Sequence, residues 1–74
     1  MQSQGNLNKN IRHTGISQQY IDQSIKMGIE ILNDFMTADI PLLKKHPEFS
    51  MLWYTELLKV LRNENLLKEF QKRL

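Results

Sequence analysis

Apolar residues between positions 17 and 37 recur at the spacing of an amphipathic helix and predict a first long helix there. At about 100° per residue they fill one continuous arc of about 200°, roughly twice the apolar stripe of an ordinary surface helix. Ser24 is the one polar side chain inside the apolar half. Gly28 lies in the middle of the arc and indicates either a close approach by another helix or a tolerated defect. The arc consists of Tyr20, Ile21, Ile25, Met27, Ile29, Ile31, Leu32, Phe35 and Met36.

A second amphipathic pattern predicts a helix over residues 47–62, and its apolar arc is again about 200° wide. The helical phase slips at residues 63–65, which predicts a break there and a short third helix to Leu74. A bent continuous helix is the alternative. The second arc consists of Phe49, Met51, Trp53, Tyr54, Leu57, Leu58, Val60 and Leu61.

Residues 37–47 are predicted to connect the two long helices. Asp39 is a candidate helix cap with Pro41 just inside a short helical turn, and Pro47 is expected to be the first residue of the second helix. Ser17 is the candidate cap of the first helix, because its hydroxyl oxygen can accept a hydrogen bond from an unpaired backbone N–H.

Residues 1–16 are rich in Gln, Asn and Gly and contain only isolated apolar residues. This composition is typical of a solvated, flexible segment. We therefore expect a flexible tail over residues 1–16, followed by one helical interaction domain over residues 17–74.

Composition restricts the class of protein further. The chain has 74 residues, no cysteine and a net charge of +2, so it forms at most one small domain without disulfides or thiolate metal sites. The absence of disulfide staples, of a signal peptide and of a membrane-spanning apolar run favours an intracellular location, cytoplasmic or nuclear.

No catalytic motif accompanies this framework. The two histidines, His13 and His46, lie far apart in sequence without a third ligand at metal-binding spacing, and neither paired carboxylates nor a glycine-rich phosphate loop is present. We therefore expect no enzymatic activity, no metal and no cofactor.

The two wide arcs indicate association with another chain, because two or three helices of one monomer offer too little surface to cover them. The expected fold is all-α, a small bundle of two long helices plus a short C-terminal helix, completed by dimerisation. The expected function is a non-catalytic protein–protein interaction module, a homodimer that docks an amphipathic helix of a partner. Flexible methionines and large aromatic residues are common in such grooves. The candidate partner-binding residues are Met27, Ile31, Phe35, Met51, Trp53, Tyr54 and Leu58.

Part of the chain is similar to a known dimerisation motif. Residues 20–25 (YIDQSI) with Gly28-Ile29 resemble the start of the motif in Dpy-30-like proteins, a family related in fold to the docking domains of protein kinase A regulatory subunits. Pro47-Glu48-Phe49, Tyr54 and Leu57-Leu58 resemble its second-helix pattern, although the connection is longer here and the third helix is additional. The resemblance implies an antiparallel four-helix dimer whose groove grips a partner's amphipathic helix.

Two alternatives remain open. The first is a monomeric three-helix domain that completes its core with a heterologous partner. The second is a small nucleic-acid-binding regulator that uses the basic tail (Lys9, Arg12 and His13) and Lys44-Lys45. A further basic cluster, Lys68, Lys72 and Arg73, lies near the C-terminal end, where cations complement the dipole of a helix.

Overall fold

The computed structural model describes residues 7–74 as a helical domain with an apolar core. The expected all-α class is confirmed for this part of the chain, where the sole β-type pairing is one isolated antiparallel bridge between Asn10 and Ile31. A short 3-10 helix, Ile11–His13, precedes five α-helices. These are α1 (Gln18–Lys26), α2 (Leu32–Met36), α3 (Ile40–Leu43), α4 (Met51–Asn63) and α5 (Leu67–Arg73).

The first long helix expected over residues 17–37 is in fact two helices, because the chain turns at Gly28. Gly28 has φ +81°, a backbone conformation that strongly favours glycine. The N–H of Gly28 donates to the carbonyl of Ile25 (3.0 Å), and the N–H of Ile29 donates to the carbonyl of Ser24 (2.8 Å). These two bonds form a Schellman motif that ends α1. A Cβ at position 28 would have no atom within 4 Å, so both sequence interpretations of this glycine, a close helix approach and a mid-helix defect, are wrong.

Helix α2 starts at once after this turn. The carboxylate of Asp34 accepts hydrogen bonds from the backbone N–H groups of Glu30 (3.0 Å) and Ile31 (3.2 Å). These donors precede the helix, so the carboxylate in its first turn fixes the path by which the chain enters α2. The apolar residues of the predicted arc continue past Gly28 because both short helices face the same core.

The connection to α4 is held by side-chain caps. Asp39 caps α3 as expected, since its Oδ1 accepts from the N–H of Leu42 at 3.2 Å, with Pro41 in the first turn. The expected helix start at Pro47 is wrong: α4 begins at Met51, where the hydroxyl of Ser50 accepts from the N–H of Trp53 at 3.1 Å. Ser50 therefore caps the helix, and Pro47 lies in the turn that precedes it.

The break predicted near residues 63–65 is confirmed, and the bent continuous helix is wrong. Asn65 has φ +62°, its N–H donates to the carbonyl of Arg62 (3.2 Å), and the N–H of Leu66 donates to the carbonyl of Leu61 (2.8 Å). This is a second Schellman motif, with asparagine in the left-handed position that glycine occupies after α1. Helix α5 then returns to the core through Phe70, which is fully buried.

The core is closed within one chain. Phe35 lies at its centre, with its ring centroid 4.8 Å from that of Phe70 and 5.6 Å from that of Trp53. Most of both arcs is covered by the chain itself, so the premise that a monomer could not bury them is wrong, and the contacts described here do not confirm dimerisation. The buried apolar residues are Ile11, Ile21, Ile29, Leu32, Phe35, Met36, Ile40, Leu43, Trp53, Leu57, Val60, Leu61, Leu66 and Phe70.

Residues 7–16 also differ from expectation, because they pack on the helical domain. Ile11 is fully buried, and its N–H donates to the carbonyl of Glu30 at 2.8 Å. The Nζ of Lys9 lies 2.7 Å from the carboxylate of Glu64, which joins this segment to the end of α4. Residues 7–16 of the predicted flexible tail thus contact the helical domain, its first six residues lie outside the described part of the chain, and the predicted domain boundary after residue 16 stays a prediction.

Candidate functional site

Two of the predicted partner-binding residues are interior residues. Phe35 and Trp53 are fully buried, with their rings in edge-to-face contact. Tyr54 lies next to them and is half-buried, with its ring centroid 5.9 Å from that of Phe35 and 5.7 Å from that of Phe49. Of these three predicted residues, Tyr54 is the one that a partner can reach.

The other predicted residues do not form one surface with Tyr54. Met27 and Leu58 are half-buried against the core. Ile31 is half-buried where its backbone pairs with Asn10 of the N-terminal segment, and Met51 is 62% exposed at the start of α4. The predicted set is therefore divided among the interior, the N-terminal segment and the surface of α4.

A cleft of about 600 Å³ lies where residues 37–41, α4 and the end of α5 meet. Its lining includes Tyr54 from α4, Lys44 after α3, and Arg73 and Leu74 at the C-terminal end. The volume falls within the range of small-molecule pockets. This cleft is the candidate functional site.

Tyr54 connects the cleft to the core. The Nζ of Lys44 lies 6.0 Å from the centroid of the Tyr54 ring, at the outer limit of a cation–π contact. Burial raises the pKa of the Tyr54 hydroxyl above its ordinary value, because the anion would lose hydration. The hydroxyl therefore stays protonated at neutral pH and can donate a hydrogen bond into the cleft.

The other polar groups of the cleft differ in how many hydrogen bonds they already make within the domain. The hydroxyl of Thr37 donates to the carbonyl of Asn33 at 2.9 Å, and one oxygen of Asp39 caps α3. Arg73 makes a single long hydrogen bond, 3.4 Å, from its Nη2 to the carbonyl of Ala38. The guanidinium therefore lies at the cleft with most of its N–H donors unused.

A second cleft of about 520 Å³ lies beside the turn between α4 and α5. It is lined by Arg62 and Lys68 with polar and aliphatic neighbours and has no aromatic side chain. It therefore lacks the combination of aromatic surface and cations that distinguishes the cleft around Tyr54.

Large apolar side chains also remain at the surface. Leu42, Met51, Leu52 and Leu74 are each more than 60% exposed among the described residues. Leu74 is the only one of them that lines the cleft at Tyr54. Single exposed apolar residues are common on proteins, so Leu42, Met51 and Leu52 do not by themselves define a site.

The described residues offer few other sites. Across residues 7–74, no three side chains of His, Asp or Glu lie together in a way that could hold a metal ion. In the same part of the chain every buried side-chain polar atom has a hydrogen-bond partner, and no helix is long and apolar enough to cross a membrane.

Comparison with known proteins does not assign the chain to a family. No protein-family model, curated protein or solved structure matches it significantly. The resemblance to Dpy-30-like proteins therefore stays a prediction.

The sequence contains the residues that line the cleft, but it does not show that they lie close together in the fold. Lys44 and Arg73 belong to the two basic clusters near the sequence positions 44–46 and 68–73. They line one cleft because α5 turns back after Asn65. The distance between the clusters along the chain hides this relationship, and the turn signal at residues 63–65 was the available indication that the second cluster would fold back.

Proposed function

We propose that this chain is a non-catalytic, monomeric domain that binds a segment of a partner protein in the cleft around Tyr54. The observation that carries the proposal is the cleft itself, where a half-buried aromatic ring, an exposed leucine and two cations without an ion pair among residues 7–74 meet at the edge of an otherwise closed core. Aromatic and arginine side chains of this kind commonly contribute most of the energy of a protein interface.

The packing of the core supports the proposal of a monomer. The homodimer was expected because two arcs of about 200° needed a second chain to cover them. Helix α2 and residues 7–16 supply that cover within one chain, through side chains such as Ile11, Leu32 and Phe35. This cover favours a domain that folds without a partner and binds one through the surface cleft.

Selection from a random displayed peptide library tests the proposal. Enriched peptides are titrated into isotope-labelled protein, and we expect backbone amide shifts at residues 38–44, at Tyr54 and at the end of α5. Failure to enrich any peptide, or shifts centred on another surface, would contradict the proposed function.

Leu74→Ala and Leu52→Ala form a matched pair for this test. The two leucines are 69% and 71% exposed, but only Leu74 lines the cleft. We expect Leu74→Ala to weaken peptide binding and Leu52→Ala to leave it unchanged. The reverse result would indicate that the binding surface lies at the start of α4.

A further inference from the structure

We infer that the occupant of the cleft is an acidic segment of the partner, whose carboxylates bind Lys44 and Arg73 while an apolar side chain packs on Tyr54. This inference rests on the proposed function and names the chemistry of the partner. The argument comes from the hydrogen-bonding groups of the cleft, their charges and the apolar surface between them.

The unused hydrogen-bonding groups of the cleft are mainly donors. Within the described part of the chain, the ammonium of Lys44 has no hydrogen bond or ion pair, and the hydroxyl of Tyr54 has no hydrogen-bond partner. Arg73 uses one of its five N–H donors, in the 3.4 Å bond to Ala38. A ligand that satisfies these groups must therefore supply acceptors.

The cleft offers fewer acceptors than donors. One oxygen of Asp39 accepts from the N–H of Leu42, and the hydroxyl of Thr37 uses its one hydrogen in the bond to the carbonyl of Asn33, so it adds no free donor. Among the lining side chains, Asp39 contributes one negative charge against the two positive charges of Lys44 and Arg73. The excess positive charge favours an anion, and carboxylates accept charge-assisted hydrogen bonds from both cation types.

The apolar lining favours a peptide over a nucleic acid. Pro41 and Leu74 are exposed and lie in the same cleft as the Tyr54 ring, so an apolar side chain next to the acid can be covered. Nucleic-acid sites need a track of several cations that neutralise successive phosphates. Two cations beside the carboxylate of Asp39 fit isolated carboxylates better than a phosphate backbone.

The experiment uses an enriched peptide from the library and a second version in which each Asp and Glu is replaced by Asn and Gln. Binding is measured by fluorescence anisotropy. We expect the acidic version to bind more tightly, and raising the ionic strength from about 0.1 M to about 1 M should weaken it by shortening the Debye length. The amide version should respond little to salt.

Charge variants of the protein test which cations bind the acidic peptide. We expect Lys44→Gln and Arg73→Gln each to weaken binding of the acidic peptide by about two- to fivefold, the range of an exposed ion pair. The matched controls are Lys45→Gln and Arg62→Gln, which remove the same charges from residues that do not line this cleft. Their affinities should stay close to that of the wild type.

Asp39→Asn should change the affinity for the acidic peptide in the opposite direction. Asparagine caps a helix as well as aspartate does, so α3 should be retained while the one negatively charged side chain of the cleft is neutralised. We expect binding of the acidic peptide to tighten by about two- to fivefold. Because all five substituted residues are exposed, circular dichroism melting should show that each variant stays folded.

The possible failures can be told apart. If peptides shift the amides of the cleft but the amide version binds as tightly as the acidic one, the inference is wrong and the proposed function stands. Equal losses in Lys44→Gln and Lys45→Gln would also overturn it, since net charge alone would then explain binding. Displacement of the peptide by single-stranded or duplex DNA would overturn it in favour of a nucleic-acid site. If no peptide binds at the cleft, both proposals fail.

Discussion

Trp53 donates a hydrogen bond from its indole Nε1 to the hydroxyl oxygen of Ser24, across 2.8 Å of the protein interior. Both side chains are fully buried, and the hydroxyl of Ser24 in turn donates to the carbonyl of Tyr20 at 2.8 Å. The bond joins α1 to α4 and satisfies the single polar hydrogen of the largest core side chain. It gives the two helices a fixed register that apolar packing alone would define less sharply.

Ser24→Ala should therefore destabilise the domain by about 1–3 kcal/mol, because it leaves a buried indole N–H without a partner. The free energy of unfolding, measured by urea titration with circular dichroism, checks this value. Ser17→Ala is the matched control: Ser17 is exposed and makes no side-chain cap bond, so its loss should stay within about 0.5 kcal/mol. Equal losses in the two variants would show that the Ser24–Trp53 bond contributes little.

The same pair shows what the sequence could predict. Trp53 lies inside the second apolar arc, which makes it a core candidate, although Met51 of the same arc is 62% exposed. Ser24 was visible as the one polar residue in the first arc. Its partner was not visible, because a hydrogen bond across 29 positions depends on how two helices cross and not on the pattern within either helix.

Hydrophobic periodicity also gave a wrong prediction at Gly28. The chain turns there, but the apolar side chains before and after the turn face the same core. The apolar pattern continues from Ile25 to Ile29 and Leu32, so it resembles one helix although α1 ends in the turn at Gly28. Ile11 is a lone apolar residue in a polar segment, and average composition cannot indicate that one side chain fills a gap in the core. The break at Asn65 was predictable because there the phase itself slips.

Gly28→Ala tests the turn through the sign of its effect. A glycine inside a continuous helix would gain about 1 kcal/mol of stability on replacement by alanine. In the left-handed position after α1, alanine should instead cost about 1–2 kcal/mol, because its Cβ disfavours φ +81°. Thermal and urea unfolding measure the sign. A stabilised variant would support the prediction of a single long helix over residues 17–37.

Asn65→Gly is the companion change in the equivalent position after α4. Asn65 has φ +62°, which glycine adopts without steric cost. We expect this variant to be at least as stable as the wild type, in contrast to Gly28→Ala. A clear loss of stability would mean that the side chain of Asn65 contributes more than its backbone conformation.

Ile11→Ala tests whether the N-terminal segment belongs to the folded domain. Truncation of this fully buried side chain should cost about 2–5 kcal/mol, as for other large-to-small changes in a core. Removal of residues 1–15 should cost at least as much, although the composition of the segment predicts almost no effect. Arg12→Ala is the control, because Arg12 is exposed. A deletion variant as stable as the full chain would show that residues 7–15 do not pack on the helices in solution.

The mass in solution tests the closed core. We expect sedimentation equilibrium to give the monomer mass of 8.8 kDa, because the large apolar residues of both arcs are mostly covered within one chain. Measurements over a wide range of protein concentration check whether this mass is constant. Twice that mass would support the homodimer, and Leu52→Glu would then test whether the exposed start of α4 forms its interface.

Tyr54 should make the domain sensitive to alkaline pH. Burial raises the pKa of its hydroxyl, so the unfolded chain loses this proton at a lower pH than the folded chain does. The contribution of Tyr54 to stability is therefore fully present below the ordinary tyrosine pKa of about 10, and it falls as the pH rises through that value towards the folded pKa. Tyr54→Phe removes this titration while it keeps the ring that contacts Phe35 and Phe49.

The measurement is the difference in free energy of unfolding between the wild type and Tyr54→Phe, determined by urea titration from about pH 7 to about pH 11. Subtraction removes the lysines and the other tyrosine, which titrate in both proteins. We expect a constant difference up to about pH 9 and then a progressive loss of wild-type stability relative to the variant. A difference that stays constant over the whole range would mean that the hydroxyl is as well hydrated in the folded chain as in the unfolded chain. The cleft would then leave Tyr54 in open water, and its ring would offer a partner much less desolvated surface than the packing against Phe35 indicates.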